Sequence, residues 1–92
     1  MKFCCDNFGW MFSSKGQKGF SILPNRIGDR FCFVMQGRSC DIEDKSGKEV
    51  VFQQVIHYCP WCGTELQLII DQNRLEMKEL VESNRGLILK NG

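Results

Sequence analysis

Tyr58-Cys59-Pro60-Trp61-Cys62-Gly63-Thr64-Glu65-Leu66 decides how the rest of the chain must be arranged. Two cysteines separated by two residues, with Pro60 after the first and Gly63 after the second, make a tight turn. In such a turn two thiolates and several backbone N–H groups face one metal ion. The spacing suits Zn²⁺, because two sulfurs must occupy adjacent corners of a tetrahedron at metal–sulfur distances of ~2.3 Å. Gly63 lets the chain turn back with no Cβ against the sulfur-facing amides. Two sulfurs are half a site, so a second pair of ligands has to come from elsewhere.

The N-terminal run Phe3-Cys4-Cys5-Asp6-Asn7-Phe8-Gly9-Trp10-Met11-Phe12 offers adjacent cysteines inside an aromatic stretch. Neighbouring side chains on a strand point to opposite faces, so both sulfurs reach one metal only if the backbone bends. Asp6-Asn7 and Gly9 supply the turn chemistry for that bend. Phe3, Phe8, Trp10 and Phe12 are expected to pack around the site. The rival ligands are Cys32, Cys40 and His57, any of which would supply the fourth position if only one of Cys4 and Cys5 binds.

At 92 residues the chain reads as one domain spanning 1–92, with the sheet and metal site in about 1–70 and a helix and tail in about 71–92. Twelve basic and 11 acidic residues leave a formal charge of +1. Four thiolates and one Zn²⁺ would bring it to −1, and neither value advertises a nucleic-acid surface. The start of the sequence lacks the apolar run of a secretory signal, and no stretch approaches the ~20 apolar residues of a membrane span. A cytoplasmic location is therefore expected. There, six cysteines read as metal ligands or thiols, where a secreted chain of this size would suggest a disulfide framework.

Between the two cysteine pairs the pattern is mostly β. Residues 13–19 are polar and glycine-bearing, a loop without the full phosphate-binding pattern. Phe20-Ser21-Ile22-Leu23 predicts a short strand ended by a turn at Pro24–Asp29. Residues 30–40 form the best strand, with Phe31, Phe33 and Met35 on one face and Cys32 and Val34 on the other. Cys32 thus reads as a small packed hydrophobe. A hairpin turn at Lys45-Ser46-Gly47-Lys48 returns the chain along 49–57 into the cysteine knuckle. Leu66, Leu68 and Ile70 alternate with Gln67 and Ile69 and predict a last strand. Asp71 then caps a helix over about 72–84, with Leu75, Leu80 and Val81 on one face and Glu76, Lys78, Glu79 and Glu82 outward. Gly86 stops it, and Leu87-Ile88-Leu89 is left as an apolar tail that docks on the sheet or meets another chain. The expected fold is α+β, mainly β: a zinc-ribbon-like antiparallel sheet with a C-terminal helix.

Cys59-Pro60-Trp61-Cys62-Gly63 resembles the second knuckle of zinc-ribbon and rubredoxin-like proteins, where CPxCG recurs. More loosely, Cys4-Cys5 with a late aromatic-CPxCG-x-x-Leu ending is similar to short, largely uncharacterised bacterial and phage zinc-ribbon proteins. That likeness implies ligands from the two ends of the ribbon: Cys4, Cys5, Cys59 and Cys62. The chain departs from it in two ways. Its first knuckle is a bare Cys-Cys, and 53 residues (6–58) separate the pairs against ~15–20 in the compact Cys₄ pattern. The middle must then be an inserted sheet.

Four thiolates close the coordination shell, which is the structural kind of zinc site; a catalytic ion keeps a position open for water. With one histidine and no nucleophile motif, no enzyme is expected, and Asp41, Glu43 and Asp44 read as a solvated turn. The function expected is a small zinc-stabilised binding module with an unknown protein partner, nucleic acid being less favoured. No membrane partner is expected, and the chain should be a monomer or a weak homo-oligomer. Two alternatives use the same cysteines. One is thiol–disulfide chemistry, since Cys-Pro-Trp-Cys also resembles the thioredoxin motif, though that motif requires a helix to begin at its first cysteine. The other is iron electron transfer, since four thiolates accept iron as well as zinc.

Overall fold

The computed structural model describes residues 2–15, 17–39 and 50–88. Its elements run α1 (Asp6–Ser13), β1 (Gly19–Ile27), β2 (Arg30–Arg38), β3 (Val50–Ile56), α2 (Leu66–Gln72), α3 (Arg74–Asn84) and a 3₁₀ turn, Arg85–Leu87. The strands form one antiparallel sheet in the order β1-β2-β3. The α+β fold around an antiparallel sheet is thus the one that the alternating pattern predicts. The expected turn at 45–48, Cys40 and the acidic group 41–44 lie outside the described residues.

The first hairpin turns later than expected. β1 continues through Pro24 to Ile27, which pairs with Arg30 across Gly28-Asp29. Gly28 has φ +64° and Asp29, like every described non-glycine residue, has negative φ, the pattern of a two-residue II′ turn with glycine first. Counting from the closing Ile27–Arg30 pair, hydrogen-bonded and non-bonded pairs alternate, and Pro24 opposite Phe33 falls on a non-bonded one. Its missing N–H therefore faces away from β2, which an edge strand tolerates.

One face of the sheet builds the core. Ile22, Phe31, Phe33 and Ile56 meet Phe8 and Phe12 of α1, Leu66, Ile69 and Ile70 of α2, and Met77 and Val81 of α3. The Phe8 and Phe33 rings meet edge to face at 5.1 Å, and Phe3 lies 5.4 Å from Phe8 and 5.0 Å from Phe12. Trp10, expected in this group, is 70% exposed. On α1 it falls away from the Phe8/Phe12 stripe, whose spacing of four puts those two rings on the buried side.

The other face is polar and still covered. Ser21, Gln36 and Arg38 are buried there beside Leu23 and Val34. The Gln36 amide donates to Gln53 Oε1 at 2.9 Å and to the Leu87 carbonyl at 2.7 Å, while Arg38 donates to Gln36 Oε1 at 2.8 Å and to Leu87 at 3.0 Å. The start of the apolar tail therefore docks on the sheet, held by its backbone carbonyl; Leu89 lies outside the described residues.

Among the described residues three α-helices stand where one was expected. Residues 6–13, read as turn chemistry, form α1. The segment 66–72, read as a strand, is α2, because Leu66, Ile69 and Ile70 form an i, i+3, i+4 stripe and are buried while Leu68 is exposed. The last helix starts at Arg74 with Asn73 in the cap position, and Asp71 ends up inside α2, paired with Arg74 at 2.7 Å. Its buried residues are Met77 and Val81, with Leu80 partly buried and Leu75 83% exposed.

Candidate metal centre

Both cysteine pairs are fixed by backbone geometry at the ends of well-packed elements. Cys5 is extended (φ −161°, ψ 166°), Asp6 is already helical, and the Gly9 N–H reaches the Cys5 carbonyl at 3.3 Å. This change of direction lets two adjacent sulfurs serve one point, the bend that the sequence demanded. Burial of Phe8 and Phe12 anchors α1, and the Cys4-Cys5 pair rides on its N-terminus.

The second pair sits on a closed knuckle. The Cys59 N–H donates to the Thr64 carbonyl at 2.9 Å, the Gly63 N–H to Cys59 at 3.0 Å, and the Leu66 N–H to His57 at 2.9 Å. Tyr58 and Glu65 bridge at its neck. Gly63 has φ +77° and nothing within 4 Å of an added Cβ, so glycine is required there by conformation and not by space.

The sulfurs of Cys4, Cys5, Cys59 and Cys62 all lie within 4.8 Å of one another. Cys5 and Cys59 are 3.7 Å apart, close to the ~3.8 Å edge of a tetrahedron with ~2.3 Å metal–sulfur bonds and far beyond the ~2.05 Å of a disulfide. Cys32 and His57 are not in the cluster. Cys32 lies part-buried on β2, where burial pushes its thiol up. Cys59 is buried, Cys4 and Cys5 are half-buried, and Cys62 is exposed.

The surroundings treat the thiols differently. The Thr64 hydroxyl, 3.2 Å from Cys62 Sγ, together with the Thr64 amide pulls the Cys62 thiol down to about 6. Burial, followed by the neighbouring Cys62 and Cys59 sulfurs, pushes Cys4 up. At Cys5 the Phe8 amide draws the thiol down, but burial and the Cys59 and Cys62 sulfurs outweigh it and the net direction is up. Four thiolates so crowded repel one another, and a divalent cation is what would offset that repulsion. The donor set fits a metal ion with all four positions filled by sulfur. Thr64 is the one residue of this site that the sequence reading did not single out, although a hydroxyl two residues past the second cysteine is within reach of its sulfur.

No protein-family model matches this chain, and neither a curated protein nor a solved structure matches it.

Two expectations follow from the thiol environments. A metal competes with protons for sulfur. Since Cys4 and Cys5 hold their protons at neutral pH, acidification works against the metal through at least two groups. Apparent affinity should fall by at least about 100-fold per pH unit below pH 8, read by competition with a colorimetric chelator; a pH-independent affinity would exclude thiolate ligation. In addition, Thr64→Val removes the donor to Cys62 and should weaken metal binding by about tenfold, the lower end for a group supporting a ligand, and since binding of a structural ion is coupled to folding, the loaded melt should fall by the same ~1.4 kcal/mol, roughly 6–11 °C.

Proposed function

We propose that this chain is a small zinc-stabilised binding module, in which Cys4, Cys5, Cys59 and Cys62 hold a structural ion and the folded surface engages a protein partner. The observation that carries this reading is the convergence within 4.8 Å of four thiols from two stretches that lie 53 residues apart in the chain. Such a donor set leaves no position for an activated water, so the ion serves folding and not catalysis. Zinc is favoured over iron because this chain has one CxxC knuckle where rubredoxins have two. Thiol–disulfide exchange is disfavoured because Cys59 opens a turn and the next helix begins only at Leu66, so no helix N-terminus acts on its sulfur. A cytoplasmic site of action agrees with the five free cysteines among the described residues.

Native mass spectrometry with metal analysis, on wild type and on Cys→Ser variants at positions 4, 5, 32, 40, 59 and 62, tests the reading. One zinc is expected in wild type and in the variants at 32 and 40, and none in the other four. A folded, metal-free wild type would overturn the proposal and bring redox chemistry forward.

A further inference from the structure

β1 and β2 pair to the tip of their hairpin, Ile27 with Arg30, whereas β3 pairs with β2 only as far as Phe33 with Ile56. Beyond Ile56 the chain leaves the sheet for the metal knuckle, so residues 30–32 overhang with no strand on that side among the described residues. Hydrogen-bonding direction alternates along a strand, and the closing Ile27–Arg30 pair turns Arg30 and Cys32 toward β1. The N–H and C=O of Phe31 therefore point into the space that β3 vacates, with no backbone partner among the described residues. A cleft of ≈ 660 Å³ fills this notch, within the ~300–1,000 Å³ typical of ligand sites. Its floor is Ile56, Leu66 and Ile70, with Ile27 and Tyr58 at its sides, 58% and 60% exposed.

We infer that this notch is the partner-docking site of the module and that its occupant is an extended peptide segment that pairs with Phe31 as a short added strand. An open strand edge is a template for such pairing. The register fixes the side chains the peptide must carry. A residue opposite Phe31 points to the face of Phe31 and Ile56 and so extends the apolar cluster with Leu66 and Ile70. Its neighbours point to the opposite face, where Arg30 stands. Arg30 has no ion-pair partner among the described residues, while Arg74, which lines the adjoining polar cleft with it, is held by Asp71 at 2.7 Å. The peptide thus has an aliphatic residue flanked by an acidic one. One wall of the notch, from His57 and Tyr58 to Glu65 and Leu66, is the neck of the cysteine knuckle, and the inference rests to that extent on the structural-metal reading.

The test is an amide-shift titration of the zinc-loaded, ¹⁵N-labelled protein with acetyl-Thr-Glu-Leu-Glu-Thr-amide, whose symmetry makes strand direction immaterial. Saturable shifts are expected at residues 30–32, 55–58 and 65–70. The same peptide with an N-methylated leucine, which lacks the pairing donor, should bind about fivefold weaker, and the Gln-Leu-Gln peptide about two- to threefold weaker. The Arg30→Gln protein, altered only at an exposed residue, should bind the Glu and Gln peptides equally. Absence of saturable shifts up to about 10 mM peptide, shifts elsewhere, or equal binding of the N-methylated peptide would overturn the inference. Zinc content measured on the same sample separates the two readings. Loaded protein without shifts sinks the notch alone, and metal-free folded protein with these shifts sinks the structural metal alone.

Discussion

Stripping the metal with excess chelator should unfold the chain, with loss of the far-UV circular dichroism signal and of the cooperative melt. The reason lies in relative magnitudes. Structural zinc contributes ~10–16 kcal/mol of apparent binding free energy in small finger-type sites, and a chain of this length has a net stability of about 5–14 kcal/mol. The term removed is therefore as large as the whole. Cys59→Ser should reproduce the result without chelator, because Cys59 is the most buried of the four clustered cysteines, at 3% exposure, and belongs to the core cluster. Re-addition of zinc should restore the wild-type fold and leave the variant unfolded. Metal-free wild type that keeps its spectrum and melts cooperatively at the loaded temperature would show that the core suffices, and the structural role of the ion would fall.

The second large effect belongs to that core. Phe33→Ala should destabilise the zinc-loaded protein by about 3–5 kcal/mol. Phe33 is fully buried and its ring meets Phe8 at 5.1 Å and Phe12 at 6.1 Å, so truncation empties the junction between β2 and α1. A domain of this size loses ~4–8 °C of melting temperature per kcal/mol, which places the expected drop at roughly 12–40 °C. Leu75→Ala is the control, since Leu75 is 83% exposed and surface substitutions stay within about 0.5 kcal/mol. A Phe33→Ala melt within about 5 °C of wild type would mean that the aromatic junction does not hold α1. The two effects are linked through α1, because the helix that packs on Phe33 also positions Cys4 and Cys5.

The most legible features of the sequence were those governed by local chemistry. Cys59-Pro60-Trp61-Cys62-Gly63 needs one backbone conformation, with Gly63 at positive φ, and the β2 strand declares itself by alternation that its paired neighbours preserve. The two missed helices show where periodicity becomes ambiguous. Leu66, Leu68 and Ile70 alternate as a strand would, yet Leu66, Ile69 and Ile70 satisfy a helix equally well, and over seven residues only the burial of Ile69 against exposed Leu68 separates them. In α1, Gly9 and Asp6-Asn7 are weak helix formers, and it is the tertiary burial of Phe8 and Phe12 that overrides them. Pro24 misled for a related reason: a proline ends a strand only where its N–H is needed, and which side of β1 faces solvent is a property of the sheet. At the metal site, the knuckle's own chemistry was readable, but the choice of Cys5 over Cys32 depended on where α1 packs, which no local pattern encodes.

The wide separation of the two cysteine pairs also sets an order of events. Cys59 and Cys62 lie three positions apart and can seize an ion while the chain is still unfolded, whereas Cys4 and Cys5 must be brought back across 53 residues. Ring closure over that span costs about 1 kcal/mol more than over the ~15 residues of a compact ribbon, a difference that the intervening hairpins erase once they have formed. The ion should therefore be half-bound early and fully enclosed last, its final two bonds forming at the rate at which β1, β2 and α1 assemble.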